Sequence, residues 1–407
     1  MSFSNPNFQF SRERRFTMPV AASASLEVMP AVINNLALII KGQGVIIFKA
    51  SDKFSPDTVA NVSFHNQDKS IDLNIELQVG KITLSKNGEV LYEQENTGLT
   101  THPRAFYWIS LDAQKQCIKF GVGESRLETQ TFCYQFPTDH STKLYLESFS
   151  NFSYDDESLV LLRLLRDPIL NNVPLKVKNT NELTMDMIAE GAFMPKANLS
   201  TIAQQLYDNI AGVNFMLNTP DFPDFVEAIE HSIATPGCWC FEKLKAKAGE
   251  FGHADPKKVY LRITLGQNGG ESPGIPYVME IWPPGCYSPI HNHAGANAII
   301  RVLHGQISVR LFPYLGTEKA FGEEVFSEGD FTWISPTLNQ FHKLQNPNES
   351  EPTCITIQCY MYDENDLGHY DYFDYMGDDD EIKQYEPDSD DDFLIFKATI
   401  REEWRKK

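Results

Sequence analysis

Three histidines carry the most specific chemistry in this 407-residue chain. His291 and His293 flank Asn292. Alternate residues of an extended segment point to the same side, so these two imidazoles can share one cation. A third nitrogen comes from His342, in Phe341-His342-Lys343-Leu344-Gln345-Asn346. Three neutral imidazoles leave about three open positions on an octahedral Fe(II) and leave its +2 charge uncompensated. Such an ion accepts an anionic ligand such as a thiolate and keeps room for O2. Zinc also binds three histidines, so the ligands alone do not fix the metal.

The residues around this trio form two separated half-motifs. Gly285 is followed after five residues by His291-Asn292-His293, with Gly305 downstream, and a second run leads from Gly329 through His342 to Asn346. Together they resemble the double motif of the cupins, which implies a small closed β-barrel with the metal inside. The second half departs from the pattern. His342 lies farther from Gly329 than usual, Pro336 stands one place early relative to the histidine, and the glycine between them is missing. Where most metal cupins place a ligating glutamate, after three or four further residues, this chain has Asn297 and Ala298.

Within that fold, residues from about Pro220 to Asp363 resemble cysteine dioxygenase and its thiol-dioxygenase relatives. Those enzymes use three histidines without a ligating glutamate and add both atoms of O2 to a thiol sulfur. Val259-Tyr260-Leu261-Arg262 matches the family's Tyr-x-Arg strand, whose arginine pairs with the substrate carboxylate. A guanidinium fork suits that anion. Tyr360 matches the tyrosine that reaches the iron-bound ligands, given a one-residue insertion near Glu351-Pro352; otherwise Cys359 takes its place. The family's Ser-x-His-x-Tyr relay reads Thr356-x-Gln358-x-Tyr360. Glutamine can hydrogen-bond the tyrosine hydroxyl but cannot shuttle a proton as imidazole does. Ala298 replaces the cysteine that crosslinks to tyrosine in animal enzymes.

The resemblance implies one Fe(II), O2 as co-substrate, and oxidation of cysteine or a related carboxylated thiol to a sulfinic acid. It implies metal ligation by His291, His293 and His342, carboxylate binding by Arg262 and Tyr260, and catalytic places for Tyr360 and Gln358. Two rivals stay open: a non-catalytic cupin and lectin-like binding protein, and a metal-cupin enzyme with a non-thiol substrate. Cys238-Trp239-Cys240, Cys286 and His304 read as structural or exposed residues. No Gly-x-Ser-x-Gly elbow or phosphate loop occurs.

The elements that must position these residues are mainly β. From Leu26 to about Phe136, short runs such as Leu36–Ile40, Val45–Phe48, Ile71–Leu77, Lys81–Leu84, Tyr107–Leu111 and Cys117–Gly121 alternate with glycine turns. This spacing predicts an antiparallel β-sandwich. Phe106-Tyr107-Trp108-Ile109-Ser110-Leu111-Asp112 and Ile118-Lys119-Phe120-Gly121-Val122-Gly123-Glu124 resemble the farnesoic acid O-methyltransferase-type domain, which is lectin-like in shape. That resemblance implies a binding or packing module for a carbohydrate or protein, not a methyltransferase. Asn198–Ala211 and Pro223–Ile233 read as helices. Strands return with Tyr260–Ile263, Tyr277–Trp282, Ala298–Leu303, Ile307–Leu311, Phe331–Ile334 and Cys354–Tyr360, as a small barrel requires. The expected divisions are a disordered tail (1–25), the sandwich (26–150), a connector with a helix (151–215), the cupin (216–375) and an acidic tail (376–407).

Composition narrows the partners. A net charge of −20 opposes binding to nucleic acid or to an anionic membrane. Seven cysteines without regular spacing argue against a disulfide framework. No run of about 18 apolar residues occurs, and the N-terminus lacks a secretory apolar segment. A cytoplasmic protein acting on a small thiol is the expectation.

Overall fold

The computed structural model describes residues 35–102, 104–155, 157–266, 277–316, 319–350, 352–363 and 372–407. The expected tail 1–25 lies outside them.

In the N-terminal half, β4 (Asp72–Gln78) shows how sequence becomes layer. Leu73, Ile75 and Leu77 are fully buried between half-exposed Asp72, Asn74, Glu76 and Gln78, the alternation of a strand with one wet face. Asn87 and Gly88 both adopt positive φ, 48° and 84°. They close a tight hairpin whose twist matches its strands, β5 (Lys81–Lys86) and β6 (Glu89–Glu95). One antiparallel sheet has the order β1 (Leu36–Ala37), β10 (Asn151–Tyr154), β3 (Ala60–His65), β4, β5, β6. The other runs β11 (Leu159–Leu165), β2 (Gln43–Ala50), β7 (Phe106–Asp112), β8 (Cys117–Val122), β9 (Gln130–Gln135). Phe48, Phe64, Tyr107, Phe120 and Phe152 fill the space between the two sheets. This is the expected sandwich, but it extends to Leu165, because β10 and β11 pair with β3 and β2 rather than linking the halves.

The C-terminal half is a cupin barrel. Its larger sheet has the order β13 (Met194–Pro195), β12 (Val177–Lys178), β19 (Phe331–Ile334), β16 (Asn297–His304), β21 (Cys354–Met361), β15 (Tyr277–Trp282), β14 (Leu261–Leu265), β24 (Asp391–Asp392). Facing it lie β18 (Gly322–Ser327), β17 (Gln306–Leu311) and β20 (His342–Gln345), with the hairpin of β22 (Phe373–Met376) and β23 (Ile382–Tyr385) alongside. After α1 (His140–Glu147) in the sandwich and α2 (Met185–Glu190) before the barrel, helices cover the outside. Ser200 caps α3 (Thr201–Ile210) by accepting the Ala203 N–H, and Leu206, Tyr207 and Ile210 pack under Ile299 and Ile357. α4 (Phe225–Ala234), α5 (Trp239–Lys247) and α6 (Phe393–Lys406) bury a second layer against Leu261, Ile281 and Ile355.

Residues 376–407, expected as a solvated acidic tail, are instead folded. Phe393, Phe396 and Ile400 recur at helical spacing and bury one stripe of α6. Asp390 meets Lys247 at 2.9 Å and accepts the Arg262 backbone N–H, which ties the acidic run to β14.

Asn35–Lys407 make one compact unit, so the two halves share a seam. Tyr314 of the barrel half joins the sandwich core. Gly123 has φ of 95°, and a Cβ there would lie 2.3 Å from the Pro313 carbonyl oxygen. Only glycine lets the chains approach this closely. All seven cysteines are unpaired; five are buried and Cys133 is exposed. Among the described residues no helix is long and apolar enough to cross a membrane.

Candidate metal centre

The segment carrying His291 and His293 is clamped on both sides. His291 and His342 exchange backbone hydrogen bonds at 3.0 and 3.1 Å, which sets their side chains next to each other. On the other side, Asn292 N–H donates to the Asp374 carbonyl and Met376 N–H to Ile290. The three rings lie with centroids 4.7 to 5.0 Å apart. Ligand atoms from His291, His293 and His342 all fall within 4.8 Å of one another.

Hydrogen bonds set two of the tautomers. His291 Nδ1 is 3.1 Å from the Pro289 carbonyl and His342 Nδ1 is 2.8 Å from the Asn339 carbonyl. A carbonyl only accepts, so each Nδ1 carries the proton and each Nε2 presents its lone pair. His293 Nε2 sits 3.2 Å from His342 Nε2, and His293 Nδ1 is buried without a hydrogen-bond partner. Burial, reinforced by the neighbouring imidazole of His342, pushes His291 down to about 3. Burial also lowers His342 to about 4 and His293 well below its ordinary value. All three are therefore neutral near pH 7, the state a metal ligand needs. With its proton on Nε2, His293 donates to the His342 lone pair; with its proton on Nδ1, it presents a third lone pair that a cation can share. The donor set fits a divalent ion with affinity for imidazole, and among the described residues no carboxylate joins it. Asn297, where a glutamate was absent from the sequence, lies 3.3 Å from the Ser200 hydroxyl.

The other sequence-derived candidates gather on the adjoining wall of the barrel. Arg262 on β14 and Glu280 on β15 are direct cross-strand partners, and their side chains meet at 2.7 Å. Burial drives the Glu280 carboxyl up against the opposing pull of Arg262. Burial alone would lower Arg262, but Glu280 together with Tyr360, Tyr260 and Tyr385 outweighs it and holds the guanidinium charged. Tyr360 stacks on His293 at 5.4 Å and 22°. Its buried hydroxyl makes no hydrogen bond of ordinary geometry, although it faces the Arg262 charge. Arg262 Nε and Gln358 Nε2 are likewise buried without partners. Tyr260 is packed differently: its ring stacks on Trp282 at 4.1 Å and on Phe251 at 6.2 Å.

Cavities beside the trio are small. One of about 20 Å³ is lined by His293, His342, Trp333 and Gln358 among others, and one of about 10 Å³ by Glu280, Trp282 and Gln358 among others. Each holds about one water.

Sequence reasoning missed Glu280, Phe373, Gln340 and Glu124. Glu280 could have been found as the one charge at the inward parity of Val278-Met279-Glu280-Ile281-Trp282. The Phe373 ring lies 4.6 Å from His293; it follows the double motif by many residues and no spacing rule reaches it. Gln340 accepts the His293 and Gly295 backbone N–H groups.

No family model matches the chain. Solved structures similar to it align with 26% of its length. One is the Cnp3 cupin domain of Schizosaccharomyces pombe (12% identity, 65% of that chain, TM-score 0.20). Another is an oxalate oxidase in complex with the substrate analogue glycolate (18% identity, 52% of that chain, TM-score 0.21). A third is the cupin domain of an XRE family transcriptional regulator from Enterobacter cloacae (14% identity, 98% of that chain, TM-score 0.21). The aligned part thus spans about two thirds of the first of these and about half of the second. The strand order and the histidine geometry described above define the class of fold on their own.

Proposed function

We propose that this chain is a mononuclear metal-cupin enzyme that oxidises a small thiol to its sulfinic acid. The observation that supports this reading best is a buried, neutral three-histidine cluster without a carboxylate among the described residues. Bound by His291, His293 and His342, Fe(II) would supply the redox chemistry and a positive charge that draws a thiolate. Overall, R–S⁻ and O2 give R–SO2⁻, with both oxygen atoms in the product and no further reductant needed.

The chain's own residues then bind and orient. Glu280 anchors Arg262 through Nη1, leaving the Nε–H for a substrate carboxylate. Tyr260 supports that strand through its stack on Trp282. The Tyr360 hydroxyl, beside Arg262, and the Gln358 amide, beside Glu280, are donors for oxygen atoms of the reacting species. The test is metal analysis of the purified protein, joined to oxygen uptake with cysteine, 3-mercaptopropionate and cysteamine. About one iron per chain and thiol-dependent uptake matched by sulfinate are expected. Iron without uptake for any of the three sinks the thiol reading.

A second reading draws on the tight interior. Cavities of about 20 and 10 Å³ suit a metal held for structure, in a barrel that binds a partner instead of turning over. Bound metal with no oxygen uptake favours it.

A further inference from the structure

We propose that Glu124 of the sandwich is a positioning residue for the barrel's metal ligands, so that the sandwich sets how tightly the barrel holds its ion. This rests on the reading that the histidine trio binds a metal.

Glu124 follows β8, lies beyond Gly123 at the seam, and is 1% exposed. Both carboxylate oxygens reach across to the barrel. Oε2 accepts the Asn339 N–H and Oε1 the Gln340 N–H, each at 2.8 Å. These two residues lead directly to the ligands. The Asn339 carbonyl accepts the Nδ1 proton of His342 at 2.8 Å. Gln340 Oε1 accepts the backbone N–H of His293 at 3.3 Å, and its Nε2 donates to Ala296 and Ser335. One carboxylate is thus a single residue removed from two of the three ligands.

The segment is held from several sides. Asn339 has φ of 63°, the left-handed region that asparagine enters more readily than other residues with a Cβ. Arg126 Nη1 donates to Asn339 Oδ1 at 2.8 Å and lies 3.6 Å from Glu124, closing a buried network. Phe106 of the sandwich packs on Phe341, next to His342, at 5.8 Å. Burial raises the Glu124 carboxyl to about 7, while the Asn339 N–H and Arg126 favour the ionised form. A buried carboxylate is unfavourable unless every acceptor is used. Here the acceptors are used on the ligand segment, which aims the rings as ligand-supporting hydrogen bonds do in metal sites.

The test titrates the full metal-free chain with Co(II), reading affinity and the visible absorption of the bound ion. Glu124→Gln can accept from only one of the two N–H groups and turns its own N–H toward the other. It is expected to weaken Co(II) binding about 10–100-fold and to shift the absorption bands, with an unchanged far-ultraviolet circular dichroism spectrum. Phe106→Leu loosens the same segment with the carboxylate intact, and a smaller loss in the same direction is expected. It decides the matter if Glu124→Gln does not fold. Wild-type affinity and bands in the folded variants overturn the positioning role and leave the trio standing. A wild-type chain that binds no Co(II) removes the trio reading and this proposal with it.

Discussion

Arg262 and Glu280 hide opposite charges inside the barrel, with side chains only 7% and 4% exposed. Removing one partner of such a pair leaves a buried charge uncompensated, at about 3–5 kcal/mol. Arg262→Ala should therefore lower the unfolding free energy in urea by about that amount. A double change to apolar residues of similar volume should recover most of it. Activity lost in the alanine variant would thus mix stability with substrate binding. Arg262→Lys keeps the charge but not the fork, and should raise KM for cysteine more than for cysteamine, which has no carboxylate. Equal shifts for both thiols would remove Arg262 from substrate recognition. The histidine trio was legible in the sequence because ligand chemistry restricts both residue type and spacing. Glu280 and Glu124 were not, since each is defined by a partner on another strand or in the other half of the fold.

Elements were legible wherever burial was one-sided. α3 was expected over 198–211 and runs Thr201–Ile210, with Ser200 at the cap as its side chain allows. Ser200→Ala should cost about 1 kcal/mol in thermal or chemical unfolding, the usual value of a lost N-cap. Strands β6 and β20 were missed for opposite reasons. β6 is an exposed edge strand, Glu89–Glu95, whose charged residues blur the alternation. β20 is only four residues long and is held by β17 and the His291 segment instead of by its own pattern. α6 was hidden by the acidic run before it. That helix is also pinned by Asp221, which receives Lys397 at 3.2 Å and Arg401 at 2.7 Å. Hydrogen bonds from Thr219 and Lys397, the two largest influences, hold Asp221 down at about 2. A carboxyl depressed on folding stabilises the fold above its unfolded value of about 3.9 and loses that contribution as pH falls toward 2. Protection factors of the α6 amides, which divide out the intrinsic exchange rate, should fall between pH 4 and 2 in the wild type. Asp221→Asn, which lacks the titrating group, should show no such acid-dependent step.

At the scale of the whole molecule, the seam makes the halves answer together. Gly123→Ala would place a methyl group 2.3 Å from the Pro313 carbonyl oxygen at a φ of 95°, a combined strain of at least about 2 kcal/mol. Calorimetry should show one unfolding transition for the wild type, moved to lower temperature in the variant. Two resolved transitions in the wild type would mean that the halves melt independently. The thiols give a further handle. Cys133 sits on β9, the rim strand of its sheet, and is exposed; Cys238 is half-buried and the other five are enclosed. A maleimide dye should therefore settle at Cys133 first and reach Cys238 more slowly while the fold is intact. The enclosed sulfurs would react only as the chain opens, so the count of labels over time becomes a clock for unfolding that requires neither substrate nor ion.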